Sequence, residues 1–162
     1  MTAKEDVYKI LKARGVIFET VDHPAAHTID DIEAFGVTAK GEVAKNLFLR
    51  DQKGRRHFLV TLQKDKKADL AALGEKLSAG KLSFASEERL MKYLGLTKGA
   101  VTPFGLLNDA GHTVEMVFDQ SLTGCERLGI HPCDNTATVF VPYTALASLI
   151  SELGNPVTVL AL

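Results

Sequence analysis

Apolar residues recur along this chain in two rhythms, one of period two and one near 3.6, and the switches between them mark its elements. Val7, Ile10 and Leu11 follow helical spacing behind Thr2-Ala3-Lys4-Glu5, a capping-box pattern, and Gly15 stops the run. Val16 to Val21 alternates as a short strand that Asp22-His23-Pro24 breaks, and Thr28-Ile29-Asp30-Asp31 opens a second helix with acidic residues in its first turn. Val43-Ala44-Lys45-Asn46-Leu47-Phe48-Leu49 reads as a strand, Arg50 to Arg55 as a polar turn, and Phe58 to Leu62 as the returning strand of an antiparallel hairpin. A helix over Asp69 to Leu77, a strand over Leu82 to Ala85 and a helix capped by Ser86, carrying Leu90, Met91 and Leu94, come next. The glycine-punctuated loop Gly95 to Gly105 precedes strand-like Val114 to Phe118 and Ala137 to Val141. A helical stripe of Leu146, Leu149, Ile150 and Leu153 then ends at Gly154-Asn155-Pro156, before a final strand over Val157 to Leu160. Strands and helices interleave without regular alternation, which predicts an α/β fold of the α+β-like kind, a mixed central sheet with packed helices. At 162 residues and 46% hydrophobic content, one core and a single domain over residues 1–162 are expected.

Lys45 interrupts that pattern. On a strand it shares a face with Leu47 and Leu49, while Asn46 shares the other with Ala44 and Phe48. An ammonium taken out of water without a partner costs several kcal/mol. Lys45 therefore needs a buried anion, a depressed pKa or an opening to solvent. The plainer alternative is a lysine whose stem lies on the core while its head reaches water.

Net charge is −1, so no global basic field advertises nucleic acid. Positive charge gathers only at the hairpin ends, as Lys64, Lys66 and Lys67 at one and Arg50, Lys53, Arg55 and Arg56 at the other. Phosphate contact and an ordinary solvated hairpin end both fit them. No run approaches the roughly 18 apolar residues of a membrane span, and the opening residues lack a signal-peptide core, so no membrane association and a cytoplasmic location are expected. Cys125 and Cys133 are the only cysteines, with no second pair to complete a zinc site, and reduced structural thiols are expected.

Three other segments bear chemistry. Lys98 to Gly105 holds two glycines and a proline, and its N–H groups can hold a carbonyl oxygen, an oxyanion or a phosphate, although it matches neither a Walker loop nor a dinucleotide fingerprint. Gly129 to Thr138 carries His131 on a loop beside a strand, placed to orient a substrate or move a proton. Cys133 with His131 and Asn135 resembles the components of a thiol hydrolase, but neighbours on one extended stretch splay apart. His23 and His27 are four apart with Pro24 opposing a helix through both, so no metal site is expected.

In order, Asp22-His23-Pro24, the Lys45 strand, Gly99-Ala100-Val101-Thr102-Pro103-Phe104-Gly105 and Gly129 to Thr138 resemble the YbaK/ProX family of aminoacyl-tRNA editing domains. Val101 to Gly105 looks more like the freestanding alanyl-tRNA(Pro) deacylases, of ProXp-ala or PrdX type, than like the cysteinyl-tRNA(Pro) deacylases. The resemblance implies a metal-free and cofactor-free ester hydrolase acting in trans on the acceptor end of mischarged tRNA(Pro), with prolyl-tRNA synthetase as a docking partner and no role for DNA. It implies Lys45, Gly105 and His131 as the catalytic residues. His23, Asn46, Gly99, Val101, Thr102, Pro103 and Phe104 would hold the substrate, with Gly99 to Gly105 supplying oxyanion donors. A charged Lys45 repels the substrate's ammonium, which favours contact with the nucleotide side of the ester. Rejection of proline is expected from Phe104, Pro103 and apolar residues of the first strand and second helix.

Overall fold

The computed structural model describes residues 2–162. Five helices, α1 (Lys4–Ala13), α2 (Ile29–Ala34), α3 (Leu70–Lys76), α4 (Glu87–Leu94) and α5 (Tyr143–Leu153), interleave with eight strands. These are β1 (Glu19–Asp22), β2 (Glu42–Asp51), β3 (His57–Gln63), β4 (Leu82–Phe84), β5 (Glu115–Asp119), β6 (Leu128–Ile130), β7 (Ala137–Val141) and β8 (Val157–Leu160). One sheet runs in the order β1-β7-β6-β2-β3-β5-β8, with β4 on β2 as a branch. Pairings β2 with β6, β3 with β5 and β5 with β8 are parallel, and the rest antiparallel, so the mixed α/β sheet expected from the pattern is present.

The hairpin of β2 and β3 is the backbone of the site, and its register runs from Ala44 opposite Gln63 to Arg50 opposite His57. β3 is buried almost throughout because it lies mid-sheet. The two faces of the sheet bury different cores. Leu59, Met116, Phe118, Val139 and Leu146 belong to the larger, and Leu49, Phe58, Val60 and Leu62 to the smaller.

Local signals set the helix ends. Thr28 Oγ1 accepts the Asp31 N–H at the start of α2, Ser86 Oγ accepts the Arg89 N–H at the start of α4, and Gly95 ends α4 in the left-handed region with φ 63°. At α1 the expected cap is displaced by one residue. Ala3 is the N-cap, its N–H bonded to Asp6, because Thr2 is drawn away to Asn108 through both its N–H and its hydroxyl. The first strand also begins later than expected, at Glu19, and Ile17 is left 90% exposed. Short 3₁₀ turns at Val37–Ala39 and Gln120–Leu122 were not foreseen, nor were two elements that border the site or its loop. Leu128–Ile130 forms β6, and Pro103–Asn108 winds into a 3₁₀-helix where a loop was expected.

Candidate active site

One edge of β2 is shared by two short strands that do not meet. β6 pairs with Glu42 and Val43, β4 pairs with Leu49 to Asp51, and the residues between face no strand on that side. Ala85 N–H bonds the Phe48 carbonyl there, so by antiparallel alternation the amide groups of Asn46 also point into the gap. A cavity of about 540 Å³ fills this opening, inside the roughly 300–1,000 Å³ range of small-molecule clefts. Its walls come from β2 (including Lys45, Asn46 and Leu47), α2 (Ile29 and Ile32), the end of β4 and start of α4 (Phe84 to Glu87), the loop Lys98 to Val101, and β6 with His131.

Lys45 is half-buried and enters no ion pair among the described residues. Its charge reaches Asp65, whose carboxyl is held below the ordinary range first by hydrogen bonds from Gln63 and Lys64 and more weakly by Lys45. Asn46 points the other way, and its Oδ1 accepts the hydroxyl of buried Thr61. The neighbours that alternation assigns to opposite faces of β2 thus border one cavity, because the open edge exposes both faces.

Gly99 adopts φ 94°, and a Cβ there would lie 3.2 Å from His27 Nδ1, so the loop's approach to the cavity depends on glycine. The Gly99 and Val101 N–H groups have no acceptor among the described residues. His131 follows β6 directly. Its Nδ1 lies 2.8 Å from the Ala137 carbonyl, which only accepts, so Nδ1 carries the proton and Nε2 presents its lone pair. Burial holds the imidazole below its ordinary value against the opposing pull of the Ala137 carbonyl. Thr102 joins the two segments, its hydroxyl donating to the His131 carbonyl.

The geometry revises several expected contacts. Gly105 donates its N–H to the Thr102 carbonyl at 3.0 Å and is buried, so it offers no oxyanion donor to the cavity. Phe104 is 1% exposed and packs in the larger core, and Pro103 is buried beside it, so neither lines the cavity wall. Thr102 is likewise fully buried and acts on His131 rather than on a bound molecule. His23 stands one layer back, its Nε2 2.9 Å from the hydroxyl of Thr138, and Thr138 itself lines the cavity. Apolar residues of the first strand are absent from the lining, whereas those of the second helix are present. Lining residues that were not expected to meet the substrate include His27, Phe84, Ser86 and Thr138. The alternation of β2 was the available signal for Leu47, but Phe84 alternates with Leu82 in the short strand Leu82-Ser83-Phe84, and that spacing reads as core-facing.

The aminoacyl-tRNA editing domain model matches residues 23–149, which take in the Lys45 strand, the glycine loop and the His131 segment. The chain belongs to the aminoacyl-tRNA editing domain family. With the family comes the expected enzyme class, an aminoacyl-tRNA deacylase. The prolyl-tRNA editing protein ProX of Acetoanaerobium sticklandii is 46% identical over 155 residues, 96% of this chain and 94% of that protein. A prolyl-tRNA synthetase associated domain-containing protein of Danio rerio is 31% identical, over 98% of this chain and 86% of that one. A solved structure described as a candidate trans-editing enzyme for prolyl-tRNA synthetase superposes with a TM-score of 0.72 at 22% identity, over 100% of this chain and 99% of the other, and shares the fold.

Against this editing domain, the thiol-hydrolase alternative finds no support in the geometry. Burial pushes the Cys133 thiol up to about 12, and the side chain packs on the larger core outside the cavity lining. Three of the seven hairpin-end cations are also paired within the fold. Lys64 pairs with Glu33 and Asp65, Lys66 with Asp119, and Arg56 with Glu115, which removes them as ready phosphate contacts.

Proposed function

We propose that this chain is a trans-editing hydrolase that removes alanine from mischarged tRNA(Pro), residues 1–162 acting as one editing domain in the cytoplasm. The observation that carries the reading is the convergence of Lys45, the Gly99 loop and His131, from three separate segments, on the gap beside β2. The names of its relatives supply tRNA(Pro) as the substrate and prolyl-tRNA synthetase as the working neighbour.

Hydrolysis of an activated ester needs an oriented carbonyl, donors for the developing oxyanion and an acceptor for the proton of water. In this reading the free N–H groups of Gly99 and Val101 serve the oxyanion, in place of Gly105. His131 Nε2 orients the attacking water and accepts its proton, and Lys45 holds an oxygen on the nucleotide side of the ester. Ile29 and Ile32 of α2 close the wall around a small side chain, which replaces Phe104 as the source of proline exclusion.

Cysteine is the alternative to alanine, since the size of one small side chain separates them weakly. Incubation with alanyl-, cysteinyl-, seryl- and prolyl-tRNA(Pro) is expected to release alanine fastest and leave prolyl-tRNA(Pro) intact. Faster release of cysteine would transfer the assignment, and rapid release of proline would contradict an editing role.

A further inference from the structure

Phe84 is 63% exposed, while Leu82, two residues earlier on the same face of the short strand Leu82-Ser83-Phe84, is 4% exposed. The difference comes from the gap: β4 starts opposite Asp51 and ends where β2 regains a partner, at Phe84 opposite Leu49, so its last side chain is left at the cavity's rim. We propose that Phe84 is the stacking platform for the terminal base of the tRNA acceptor end. This rests on the aminoacyl-tRNA reading above.

Spacing supports the assignment. Phe84 pairs with Leu49, and Lys45 lies four residues back along β2 on Leu49's face, so the two lie about 14 Å apart along the sheet at roughly 3.4 Å per residue. That is a span for a ribose and its base, with the ester at the Lys45 and His131 end. Chemistry supports it as well. An alanine methyl is too small to cover an aromatic ring, whereas every base presents a π-face. The polar neighbours of Phe84 on the cavity wall are Ser86 and Glu87, and a carboxylate there repels phosphate but accepts from the exocyclic amine of adenine or cytosine.

The test is steady-state hydrolysis of alanyl-tRNA(Pro) by Phe84→Ala, Phe84→Leu and Phe84→Trp. Stacking on one aromatic ring predicts that Phe84→Ala raises KM about 5- to 150-fold with kcat largely kept, that Phe84→Trp restores KM, and that Phe84→Leu does not. Replacing the terminal base by an abasic residue should weaken the wild type by a similar factor and the alanine variant no further. An unchanged KM in Phe84→Ala, or full rescue by leucine, overturns the platform while leaving the deacylase reading intact. If the wild type hydrolyses no aminoacyl-tRNA, that reading fails by itself. Binding of a 3′-alanylamido oligonucleotide ending in CCA then decides the platform: weakening in Phe84→Ala upholds it, and equal affinity overturns it.

Discussion

At Lys45 the alternation of a strand and the chemistry of an ammonium pull in different directions, and the open edge of β2 reconciles them. The side chain is half-buried on the face it shares with Leu47, yet it borders a cavity. His131 is complementary, an imidazole kept neutral by burial, with its Nδ1 proton fixed on Ala137. Because its value lies below the ordinary one of about 6.5, the rate should rise with pH through a half-point under 6.5 and be flat above. A pH–rate profile of kcat/KM checks this, and a half-point above 6.5 would remove the neutral imidazole from the mechanism. Lys45, Asn46, Gly99 and His131 border the cavity, and the sequence drew attention to each because it departs from a local rule or sits in a recognisable segment. The side of the glycine loop that Phe104 faces was not, since a loop has no period from which to read a face.

The 3₁₀-helix after Thr102 explains why the loop's later residues leave the cavity. Thr102 caps it, with Oγ1 accepting the Phe104 N–H at 3.4 Å, and turns Pro103, Phe104 and Gly105 into the core. The same hydroxyl donates to the His131 carbonyl, so one side chain sets both the loop path and the histidine. Thr102→Val should cost about 1–2 kcal/mol of stability, the scale of one buried hydrogen bond and a cap, and lower kcat, while Thr102→Ser stays near wild type. Denaturant unfolding alongside the rate assay separates the two effects, and a valine variant with wild-type kcat would make Thr102 a purely structural residue. β6 escaped the sequence reading because Leu128-Gly129-Ile130 is centred on a glycine, which disfavours strand, and its pairing with β2 and β7 is non-local. The hairpin of β2 and β3, being local and strongly patterned, was legible in advance.

Across the whole molecule, the sheet order places the gap between the β6–β7–β1 arm and the β4 branch, so the cavity is a product of topology that no single segment encodes. The far end of the sheet is fastened separately. Lys66 Nζ reaches Asp119 and the Leu162 carbonyl, tying the C-terminal residues to the end of β5. Burial would raise the Asp119 carboxyl, but Lys66, Ser121 and the Gln63 N–H outweigh it and hold it below the ordinary range. A carboxylate so depressed contributes stability that is present above its unfolded value near 3.9 and lost as pH falls through its folded value. Lys66→Met should therefore lower stability by about 2–4 kcal/mol at neutral pH, with the gap to wild type narrowing below about pH 4. Urea melts at several pH values report it, and a gap independent of pH would place the contribution elsewhere. The convergence on the β2 gap is tested most directly by single-turnover hydrolysis of alanyl-tRNA(Pro), wild type against Lys45→Ala at matched fold stability. Rapid alanine release by the wild type and its loss by 100-fold or more in the variant, about 2.7 kcal/mol of barrier, is the predicted result. An equal rate in the two proteins would contradict a site built around Lys45.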